Sequence, residues 1–594
     1  MQEKLEKLNL DPVVKERILD WISPSFDEDT RREILKLIEE ENIKELTDRF
    51  YKILEFGTGG LRGIMEAGTN RMNSYTIAMA TQGLANYLLK QQGEKSVVIA
   101  YDSRKNSESF SRETSSVLAG NGIKVFIFKS LRPTPELSFA VRYLNATAGI
   151  VITASHNPRE YNGYKVFWSD GAQIISPHDR LIIEEVKKIK TPSEAKKISF
   201  KEGLKKKLIV FIGSEIDSAY LKKVKSLSSD ISQKYKDKIR IVYTPLYGAG
   251  FKLVPSALKD FGFKKIFLVK EQSKPDGNFP TTPYPNPEEK DALKLALELA
   301  EKKRADLVLA TDPDSDRLGI AVRNYKTGKM ELLNGNQLGS LLLYYILKIN
   351  KERGTLEKNS CVVKTIVTTD LANRIAESFG VKIFDVFTGF KYIASIPRLY
   401  PEYKYLFGFE ESYGFLAGDF VRDKDGVSAS CLTAELAAWC FFQKKDILTL
   451  LDEIYKNFGF FKEKLKSQTF KGKEGMERIK RIMKELSLNP PESIGNRKLV
   501  RFLDYSLCRE RLVLEKKDIE WKYNLPKADV LAFFYENDLK ITIRPSGTEP
   551  KIKYYFSICR TIPENVDLES FKIETDGLLD ELEKEFSEKV LSIN

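Results

Sequence analysis

Histidine and closely spaced cysteine are nearly absent from this chain of 594 residues, and this scarcity excludes several kinds of site. The two histidines, His156 and His178, cannot build a His-rich metal centre. The five cysteines lack close pairs, which argues against both a zinc site and a disulfide framework. His178 follows Ser176-Pro177 and is predicted to lie in a surface loop, whereas His156 abuts Ser155 and is predicted to help position it.

Long apolar segments are missing as well. The opening MQEKLEKLNL has no signal-peptide core, and no apolar run reaches the length of a membrane span. No short-period repeat or low-complexity tract stands out either. We therefore expect a cytoplasmic location and no membrane partner.

Chain length and net charge indicate the number of domains and the class of ligand. At 594 residues the chain is too long for one core and predicts about four domains. The net charge of +12 comes from 96 basic and 84 acidic residues, with the lysines scattered as doublets and triplets. This charge suits an anionic small molecule, and no motif supports nucleic-acid binding.

Ser155 is the strongest candidate for a reactive side chain. The apolar, β-branched run Ala148–Thr153 predicts a buried strand, and the run Thr153-Ala-Ser-His-Asn-Pro158 follows it at the carboxyl edge of the expected sheet. Open α/β sheets bind ligands at that edge. With Lys165 ten residues on, Ser155 can act as a nucleophile or covalent carrier, and an ordinary Ser-Asn-Pro turn is the alternative.

An acidic loop follows a second predicted strand, Ala305–Ala310. Asp312, Asp314 and Asp316 alternate in TDPDSDR, so a short loop can turn three carboxylates toward one point. Oxygen ligands of this type select Mg²⁺ or Ca²⁺, and three of them leave coordination positions open. A solvated acidic turn is the alternative. An EF-hand is excluded, because Arg317 stands where that motif needs glycine.

Two further segments carry polar loops. In Gly408-Phe-Glu410-Glu-Ser412-Tyr-Gly414, carboxylate and hydroxyl acceptors suit the hydroxyl groups of a sugar, or else form a plain surface turn. Two alternating strands, beginning at Leu539 and at Lys551, flank the loop Pro545–Pro550. The hydroxyls and N–H groups of that loop, together with Arg544, can cradle a phosphate, or the segment is a hairpin with a long loop.

In this order, the four loops resemble those of the α-D-phosphohexomutase family, in its phosphoglucomutase branch. The matching blocks are the phosphoserine loop TASHNPREYNGYK, the metal loop TDPDSDR, the sugar loop GFEESYG and the phosphate loop RPSGTEPK. They are extended by EFGTGGLRG, TGFK and KDGVS. The EFGTGGLRGIM opening and the chain length are similar to a subgroup of glucose-type enzymes that also holds phosphopentomutases and glucose-bisphosphate synthases.

The resemblance implies a role for each matched residue. Ser155 would carry the phosphoryl group, and a phosphoserine oxygen with Asp312, Asp314 and Asp316 would hold Mg²⁺. Lys165, Arg62 and His156 would complete the catalytic group, with Lys165 and Arg62 managing the proton of the attacking hydroxyl. The implied substrate-binding residues are Arg317, Thr388, Gly389, Lys391, Glu410, Ser412, Arg544, Ser546, Gly547 and Thr548.

The implied reaction is the reversible interconversion of glucose 1-phosphate and glucose 6-phosphate, with glucose 1,6-bisphosphate as intermediate and activator. Gly414 stands where some phosphomannomutases carry histidine, which favours glucose over mannose. Tyr247 in TPLYGAG replaces a histidine of many relatives, with no assigned consequence. A phosphopentomutase, a bisphosphate synthase and a non-catalytic sugar-phosphate sensor remain alternatives, and the assembly is expected to be a monomer or dimer.

The expected fold class is α/β, with three similar mixed α/β domains and a C-terminal α+β domain around a central cleft. The predicted domains are 1–205, with N-terminal helices and the phosphoserine loop; 206–325, with the metal loop; 326–490, with the sugar loop and bridging helices; and 491–594, with the phosphate loop. Helical structure is predicted across Lys444–Leu486 and Leu568–Leu591.

Overall fold

A computed structural model describes residues 2–57, 59–231, 233–470, 472–521, 525–546 and 551–593. The chain divides into two compact units. The larger unit comprises Met1–Gly335 and Phe390–Asp446, and the smaller unit comprises Asn336–Gly389 and Ile447–Asn594.

The described part of the chain forms α-helices with the following bounds: α1 (Gln2–Lys7), α2 (Pro12–Trp21), α3 (Glu28–Glu39), α4 (Ile43–Phe50), α5 (Ser74–Leu89), α6 (Ser107–Gly120), α7 (Thr134–Tyr143), α8 (His178–Val186), α9 (Phe200–Lys205), α10 (Ser214–Lys225), α11 (Gly250–Asp260), α12 (Lys290–Lys303), α13 (Gly335–Glu352), α14 (Leu371–Ser378), α15 (Phe390–Leu399), α16 (Gly426–Phe442), α17 (Ile447–Phe458), α18 (Gly472–Leu488) and α19 (Leu568–Leu591).

The strands of the described residues are β1 (Gly60–Ile64), β2 (Ser96–Tyr101), β3 (Lys124–Phe128), β4 (Ala148–Ile152), β5 (Tyr161–Trp168), β6 (Ile209–Ile212), β7 (Arg240–Thr244), β8 (Lys265–Leu268), β9 (Leu307–Thr311), β10 (Leu318–Arg323), β11 (Met330–Leu333), β12 (Ser360–Thr365), β13 (Lys382–Val386), β14 (Lys404–Glu410), β15 (Gly414–Ala417), β16 (Phe460–Thr469), β17 (Ser493–Ile494), β18 (Arg497–Asp504), β19 (Arg509–Leu512), β20 (Lys517–Ile519), β21 (Leu531–Tyr535), β22 (Leu539–Pro545) and β23 (Lys551–Arg560).

The first sheet of the larger unit has the order β1-β5-β4-β2-β3-β6. β4, β2, β3 and β6 are parallel, while β5 and β1 are added antiparallel at one side. All five residues of β4 are buried, as expected for a parallel strand covered on both faces. The antiparallel addition places β5, which carries Lys165, directly beside the strand that leads to Ser155.

The second sheet has the order β11-β10-β9-β7-β8, with β9, β7 and β8 parallel. β9 and β10 pair antiparallel, so the metal loop between them closes a hairpin. β14 and β15 form another antiparallel pair in this unit, and the sugar loop connects them. Each predicted loop therefore leaves the end of a strand, as the sequence pattern indicated.

Helix α16 is buried along almost its whole length, from Gly426 to Cys440. The Asp425 carboxylate caps its first turn by accepting from the N–H groups of Val427 and Ser428. The hydroxyl of Tyr220 donates to the same carboxylate at 2.8 Å. The helix start is thereby anchored next to the KDGVS segment.

The N-terminal helices α1 to α4 form a core of their own. Asp11 caps α2 by accepting from the Val13 N–H, with proline at the first helical position. Trp21 stacks on Phe26 at 4.6 Å between ring centroids. These helices precede β1, the strand that carries Arg62.

In the smaller unit, β12 and β13 pair in parallel. The C-terminal sheet has the order β16-β23-β22-β21-β18-β19-β20, with β17 paired to β18. A core of buried side chains from these strands and from α18 and α19 includes Ile482, Phe533, Ile541 and Phe586. Arg544 lies near the end of β22, directly before the predicted phosphate loop.

Two predictions about this architecture need correction. The continuous helical stretch predicted across Lys444–Leu486 is interrupted by β16, which pairs with β23 over ten positions. His178 does not lie in a loop, because it begins α8 and its ring stacks on Trp168 at 4.0 Å. The proposed domain limits and the central cleft stay predictions.

No helix of the described residues combines the length and apolar character that a bilayer crossing requires.

Candidate active site

Ser155 follows β4 and is only 4% exposed. Its Oγ donates to Asp312 Oδ2 at 2.6 Å, and Nδ1 of His156 lies 3.2 Å from the same Oγ. The Ser155 N–H donates to Thr153 Oγ1 at 2.8 Å. The serine of the first loop and the first aspartate of the second are therefore in direct contact, as expected if both serve one reaction.

The backbone at Ser155 is strained. Its φ of 53° lies in the left-handed region, where a non-glycine residue costs about 1–2 kcal/mol. Such strain persists only where surrounding contacts enforce it, and it is concentrated at functional sites. Other residues of the described chain also have a positive φ, so the reactive role of Ser155 stays a prediction.

Asp312, Asp314 and Asp316 lie together at the end of β9, and all three are buried. Each offers a carboxylate oxygen within 4.8 Å of the others. Oδ1 of Asp314 and Oδ1 of Asp316 are buried without a hydrogen-bond partner in the described structure. Because unpaired buried carboxylate oxygens are costly, this donor set fits a hard divalent cation such as Mg²⁺.

Two lysines balance part of this negative charge. Lys165 Nζ lies 2.8 Å from Asp314 Oδ2 and 3.6 Å from Asp316 Oδ2. Lys424 Nζ lies 3.1 Å from Asp316 Oδ2 and 3.3 Å from Asp423. Burial alone would lower the pKa of Lys165, but Asp314 and Asp316 raise it above the ordinary value. Burial would also lower the pKa of Lys424, but the carboxylates of Asp316 and Asp423 raise it above the ordinary value. Both lysines are therefore ammonium ions at neutral pH.

The aspartates differ in proton affinity. Burial and the carboxylates of Asp314 and Asp316 raise the pKa of Asp312 well above its ordinary value. Burial acts in the same direction on Asp314, yet the Lys165 ammonium and the hydrogen bond from Thr134 Oγ1, 2.9 Å long, hold the pKa of Asp314 below its ordinary value. Crowded carboxylates with no bound cation behave in this way.

His156 is uncharged at neutral pH. Burial and the positive charges of Arg317 and Arg62 lower the pKa of His156 well below its ordinary value. A neutral imidazole beside Ser155 Oγ can exchange a hydrogen bond with it without adding charge to the site. This geometry fits the positioning role predicted for His156.

The two arginines near this cluster have different surroundings. Arg62 lies on β1 opposite Gly163 of β5, and its Nη1 donates to Asn157 Oδ1 at 3.2 Å. Arg317 ends the metal loop and donates to the carboxylate of Glu288. Nε of Arg317 is buried without a hydrogen-bond partner among the described residues. Both guanidinium groups remain near enough to the cluster to attract an anion.

The sugar loop lies beside the metal loop in the larger unit. Glu410 ends β14 and is buried, and it pairs across the hairpin with Gly414 of β15. A Cβ on Gly414 would come within 2.3 Å of the Lys424 side chain. Glycine at this position therefore lets Lys424 reach Asp316, which is a structural reason for the departure noted in the sequence. Ser412 lies in the turn between the two strands.

The segment TPLYGAG packs against the metal loop at Pro313. The Ala249 N–H donates to the Pro313 carbonyl at 2.8 Å, and a Cβ on Gly248 would come within 2.5 Å of Pro313. The Tyr247 hydroxyl donates to Thr281 Oγ1 at 2.9 Å. Tyr247 is buried and holds the supporting segment in place.

The remaining predicted substrate-binding residues are distributed over both units. Lys391 lies in the first turn of α15 and lines a small pocket with Trp168 and His178, and burial lowers the pKa of Lys391. Thr388 and Gly389 end the first segment of the smaller unit. The Thr388 hydroxyl is buried without a hydrogen-bond partner in the described chain. Their substrate contacts stay predictions.

The predicted phosphate loop is described only at its edges. Arg544 pairs with Lys553 across β22 and β23, and its Nε is buried without a hydrogen-bond partner in the described part of the chain. The Ser546 N–H donates to the Lys551 carbonyl at 2.7 Å. Gly547 and Thr548 lie outside the described residues. The strand pair that the sequence predicted around this loop is confirmed.

Several residues in contact with the site were not recognised from the sequence, among them Thr134, which donates to Asp314. Arg104 donates to backbone carbonyls of the Ser155 loop, Glu288 binds Arg317, and Lys424 binds Asp316. Lys424 stands in KDGVS, and Arg104 follows β2 in a polar segment, which is the same strand-to-loop signal that identified Ser155. Glu288 carries no comparable signal.

Profiles of known families match three successive parts of the chain. The phosphoglucomutase/phosphomannomutase alpha/beta/alpha domain I matches residues 54–193, domain II matches residues 218–328, and domain III matches residues 334–458. These three domains and the further C-terminal domain of mixed sheet and helices confirm the predicted fold class.

Curated relatives extend over most of the chain. A phosphoglucomutase from Staphylococcus saprophyticus is 37% identical over 535 residues, covering 89% of this chain and 94% of the relative. A phosphoglucomutase from Staphylococcus aureus strain MSSA476 is 38% identical over 528 residues, covering 89% and 93%. The chain belongs to the phosphoglucomutase/phosphomannomutase family.

Solved structures show the same fold at lower identity. A putative phosphomannomutase from Thermus thermophilus matches 91% of this chain and 100% of its own, with a TM-score of 0.66 and 21% identity. The open form of pp63/parafusin, a phosphoglucomutase from Paramecium, matches 88% and 94%, with a TM-score of 0.65 and 16% identity.

Proposed function

We propose that this protein is a phosphoglucomutase that interconverts glucose 1-phosphate and glucose 6-phosphate through a phosphorylated Ser155. Membership of the family and curated relatives with that name support the reaction. The observation that carries the site assignment is the 2.6 Å hydrogen bond from Ser155 Oγ to Asp312, inside the cluster of three aspartates. A sugar-phosphate sensor would need neither the serine nor this cluster.

Asp312, Asp314 and Asp316 would hold Mg²⁺ together with an oxygen of the phosphorylated serine. The two unpaired buried oxygens, Asp314 Oδ1 and Asp316 Oδ1, support this assignment. When bound, the cation neutralises phosphoryl oxygen charge and so favours the charge distribution of the transition state.

The reaction needs two transfers in opposite directions. In the first, the phosphoryl group leaves Ser155 Oγ and bonds to the 6-hydroxyl oxygen of glucose 1-phosphate, giving glucose 1,6-bisphosphate. The bisphosphate then turns end for end, and the phosphoryl group on O1 returns to Ser155, which releases glucose 6-phosphate. The hydroxyl proton lost in the first transfer is balanced by the one taken up in the second.

The side chains around Ser155 supply position and charge. Lys165, fixed by Asp314, and Arg62, on the neighbouring strand, would stabilise the transferring phosphoryl oxygens and the oxygen of the attacking hydroxyl through their positive charges. His156 holds the serine hydroxyl through Nδ1. Each of these contacts involves only residues of the larger unit.

Sugar recognition is assigned to Glu410 and Ser412, whose oxygens would accept from hydroxyl groups of the ring. Arg317, Lys391, Thr388 and Gly389 would add contacts to the ligand. Gly414 in place of histidine favours glucose over mannose.

The second phosphate of the substrate is assigned to the loop after β22. Arg544, Ser546, Gly547 and Thr548 would hold the phosphate that is not being transferred, through a guanidinium fork, hydroxyls and N–H groups. Nε of Arg544 is buried and has no hydrogen-bond partner in the part of the chain that the structure describes, which is consistent with this assignment.

A coupled assay tests the proposal. Purified protein with Mg²⁺ and a trace of glucose 1,6-bisphosphate should convert glucose 1-phosphate to glucose 6-phosphate, and peptide mass spectrometry should locate phosphate on Ser155. Ribose 1-phosphate, mannose 1-phosphate and 1,3-bisphosphoglycerate serve as comparison substrates. Faster turnover of a comparison substrate, or phosphate at another residue after incubation with the bisphosphate, would contradict the proposal.

A further inference from the structure

Arg104 binds the Ser155 loop through four backbone carbonyls. Nη2 donates to the carbonyl oxygen of Ser155 at 2.6 Å and also to that of Asn157. Nη1 donates to the carbonyls of Pro158 at 2.7 Å and Tyr161 at 3.0 Å. One side chain thus accounts for the direction of four peptide groups within seven residues.

The side chain of Arg104 is itself held from several sides. Oδ2 of Asp102 lies 3.4 Å from Arg104 Nε, and Oδ1 of Asp102 accepts from the backbone N–H of Arg104 at 2.9 Å. The same carboxylate accepts from Ser107 Oγ at 2.7 Å, and the ring of Phe279 lies 5.2 Å from the guanidinium. Because Arg104 and Asp102 are both buried, the guanidinium has a single well-defined place behind the loop.

This arrangement bears on the reactive serine in three ways. The four carbonyl oxygens are engaged by Arg104, so they are directed away from a dianionic phosphoryl group that they would otherwise repel. The carbonyl of Ser155 is one of the four, so the bond to Nη2 helps hold the serine in its left-handed conformation at a φ of 53°. A fixed cation behind the loop also favours negative charge in front of it.

We propose that Arg104 is a positioning residue that keeps the Ser155 loop in the conformation that accepts and donates the phosphoryl group. The inference rests on the proposed function. It extends that function to a side chain that is buried behind the loop and acts through peptide carbonyls. Lysine cannot replace it, because one ammonium group cannot reach four carbonyls from two nitrogens in a planar fork.

The test compares Arg104→Lys with Arg112→Lys. Arg112 is an exposed arginine of α6 that pairs with Glu108, and its substitution should leave activity unchanged. Arg104→Lys should lower kcat and kcat/KM together by about 10- to 100-fold, with KM within about twofold of wild type, because a misplaced reactive group affects the transition state rather than ground-state binding.

A spectroscopic readout separates positioning from general structural support. The ³¹P resonance of phosphorylated Ser155 should broaden or split in Arg104→Lys, since the loop then samples several conformations, and should superimpose on wild type in Arg112→Lys. A wild-type ³¹P spectrum and wild-type kcat in folded Arg104→Lys would overturn the proposal.

A second variant covers the case in which Arg104→Lys does not fold. Ser107→Ala removes the hydrogen bond from Ser107 Oγ to Asp102 and the one that the same Oγ accepts from Asn162 Nδ2. It should lower kcat by about two- to fivefold at unchanged KM, which is a smaller loss in the same direction. Unchanged kcat in Ser107→Ala, with no folded Arg104→Lys, would overturn the inference. The wild-type protein, assayed in the same series, tests the proposed function itself. If it showed no mutase turnover or no phosphate on Ser155, the proposed function would be contradicted, whatever the Arg104 variants showed.

Discussion

The two regions assigned to phosphate chemistry compensate their charges differently. Around Ser155, in the larger unit, charged side chains pair with one another, Lys165 with Asp314 and Lys424 with Asp316, although Oδ1 of both aspartates has no hydrogen-bond partner among the described residues. In the smaller unit, Arg544 keeps a buried Nε with no hydrogen-bond partner among the described residues. The first region contains counter-charges of its own, whereas no described residue accepts a hydrogen bond from Nε of Arg544.

This difference matches two different tasks. A group that transfers a phosphoryl must hold its partners in one geometry before the substrate arrives, because reorganisation during the reaction raises the barrier. A group that only holds the other phosphate contributes most to the binding free energy when the ligand accepts a hydrogen bond from a buried donor that had no partner before. The comparison therefore predicts large effects on kcat in the first region and effects on binding in the second.

Removing the proposed nucleophile tests the transferring region and should have the largest effect. Ser155→Ala should lower mutase turnover by roughly 10⁴-fold or more, because no other group can carry the phosphoryl. Coupled kinetics and intact-protein mass spectrometry measure turnover and phosphate content, and circular dichroism checks the fold. Ser592→Ala, at an exposed position of the C-terminus, is the control. Substantial turnover in Ser155→Ala would remove the serine from the reaction.

The aspartate cluster gives the next largest expected effect. Asp314→Asn removes one charge with little change in volume and should weaken Mg²⁺ binding at least about tenfold, because even outer-shell changes cost that much. Titration calorimetry with Mg²⁺ alone and the Mg²⁺ dependence of turnover both measure it. Asp291→Asn, an exposed change in the same unit, should bind as wild type. Equal Mg²⁺ affinity of all three proteins would exclude Asp314 as a ligand.

Arg544 tests the other side of the comparison. Arg544→Ala should lower kcat/KM for glucose 1-phosphate by about 10- to 100-fold, mainly through KM, as expected for loss of charge-assisted hydrogen bonds to a phosphate. Arg544→Lys should recover only part of this loss, because it lacks the fork.

Ser155 should still accept phosphate from glucose 1,6-bisphosphate in Arg544→Ala, since the transferring region is intact. Arg481→Ala, at an exposed position of α18, is the matched control. Wild-type KM in Arg544→Ala would show that the second phosphate is held elsewhere.

The smallest expected effect concerns stability and pH in the smaller unit. Burial raises the pKa of the Glu463 carboxyl to about 7, and the hydrogen bond from Thr369 opposes the shift only in part. The folded state then binds more protons than the unfolded state between the ordinary carboxyl pKa and about 7, so the free energy of unfolding falls as pH rises through this window.

Glu463→Gln should therefore be more stable than wild type at pH 8, with the difference shrinking toward pH 5. Urea unfolding at several pH values measures it, with the exposed Glu492→Gln as control. If the free energies of unfolding of wild type and Glu463→Gln changed in parallel with pH, the pH dependence would belong to other groups.

Local patterns correctly predicted the strands that precede the candidate loops. Ser155 and the three aspartates were identified because each follows an apolar strand, and the strands β4 and β9 are where the pattern placed them. The strands around the Arg544 loop were equally predictable from the sequence, since apolar and polar residues alternate over several positions in each. In each case the signal lies within ten or so neighbouring residues.

The stretch now assigned to β16 was predicted wrongly for a physical reason. Its sequence FFKEKLKSQT is rich in lysine and glutamate, which favour helix in isolation. Pairing with β23 from Phe460 to Thr469 supplies a ladder of hydrogen bonds that outweighs this preference. His178 was misplaced similarly, because stacking on Trp168 depends on a residue that no local pattern connects to it.

The sequence by itself determined which chemical groups stand at the ends of strands, because strand periodicity and turn residues act between near neighbours in the chain. Tertiary structure decided which of these groups meet and how they are charged. Ser155 reaches an aspartate 157 positions away, and Lys165 reaches one 149 positions away. Coulomb energies and burial depend on distance in space, so the pairing of Lys165 with Asp314, the support from Arg104 and the neutral state of His156 arise only in the folded chain.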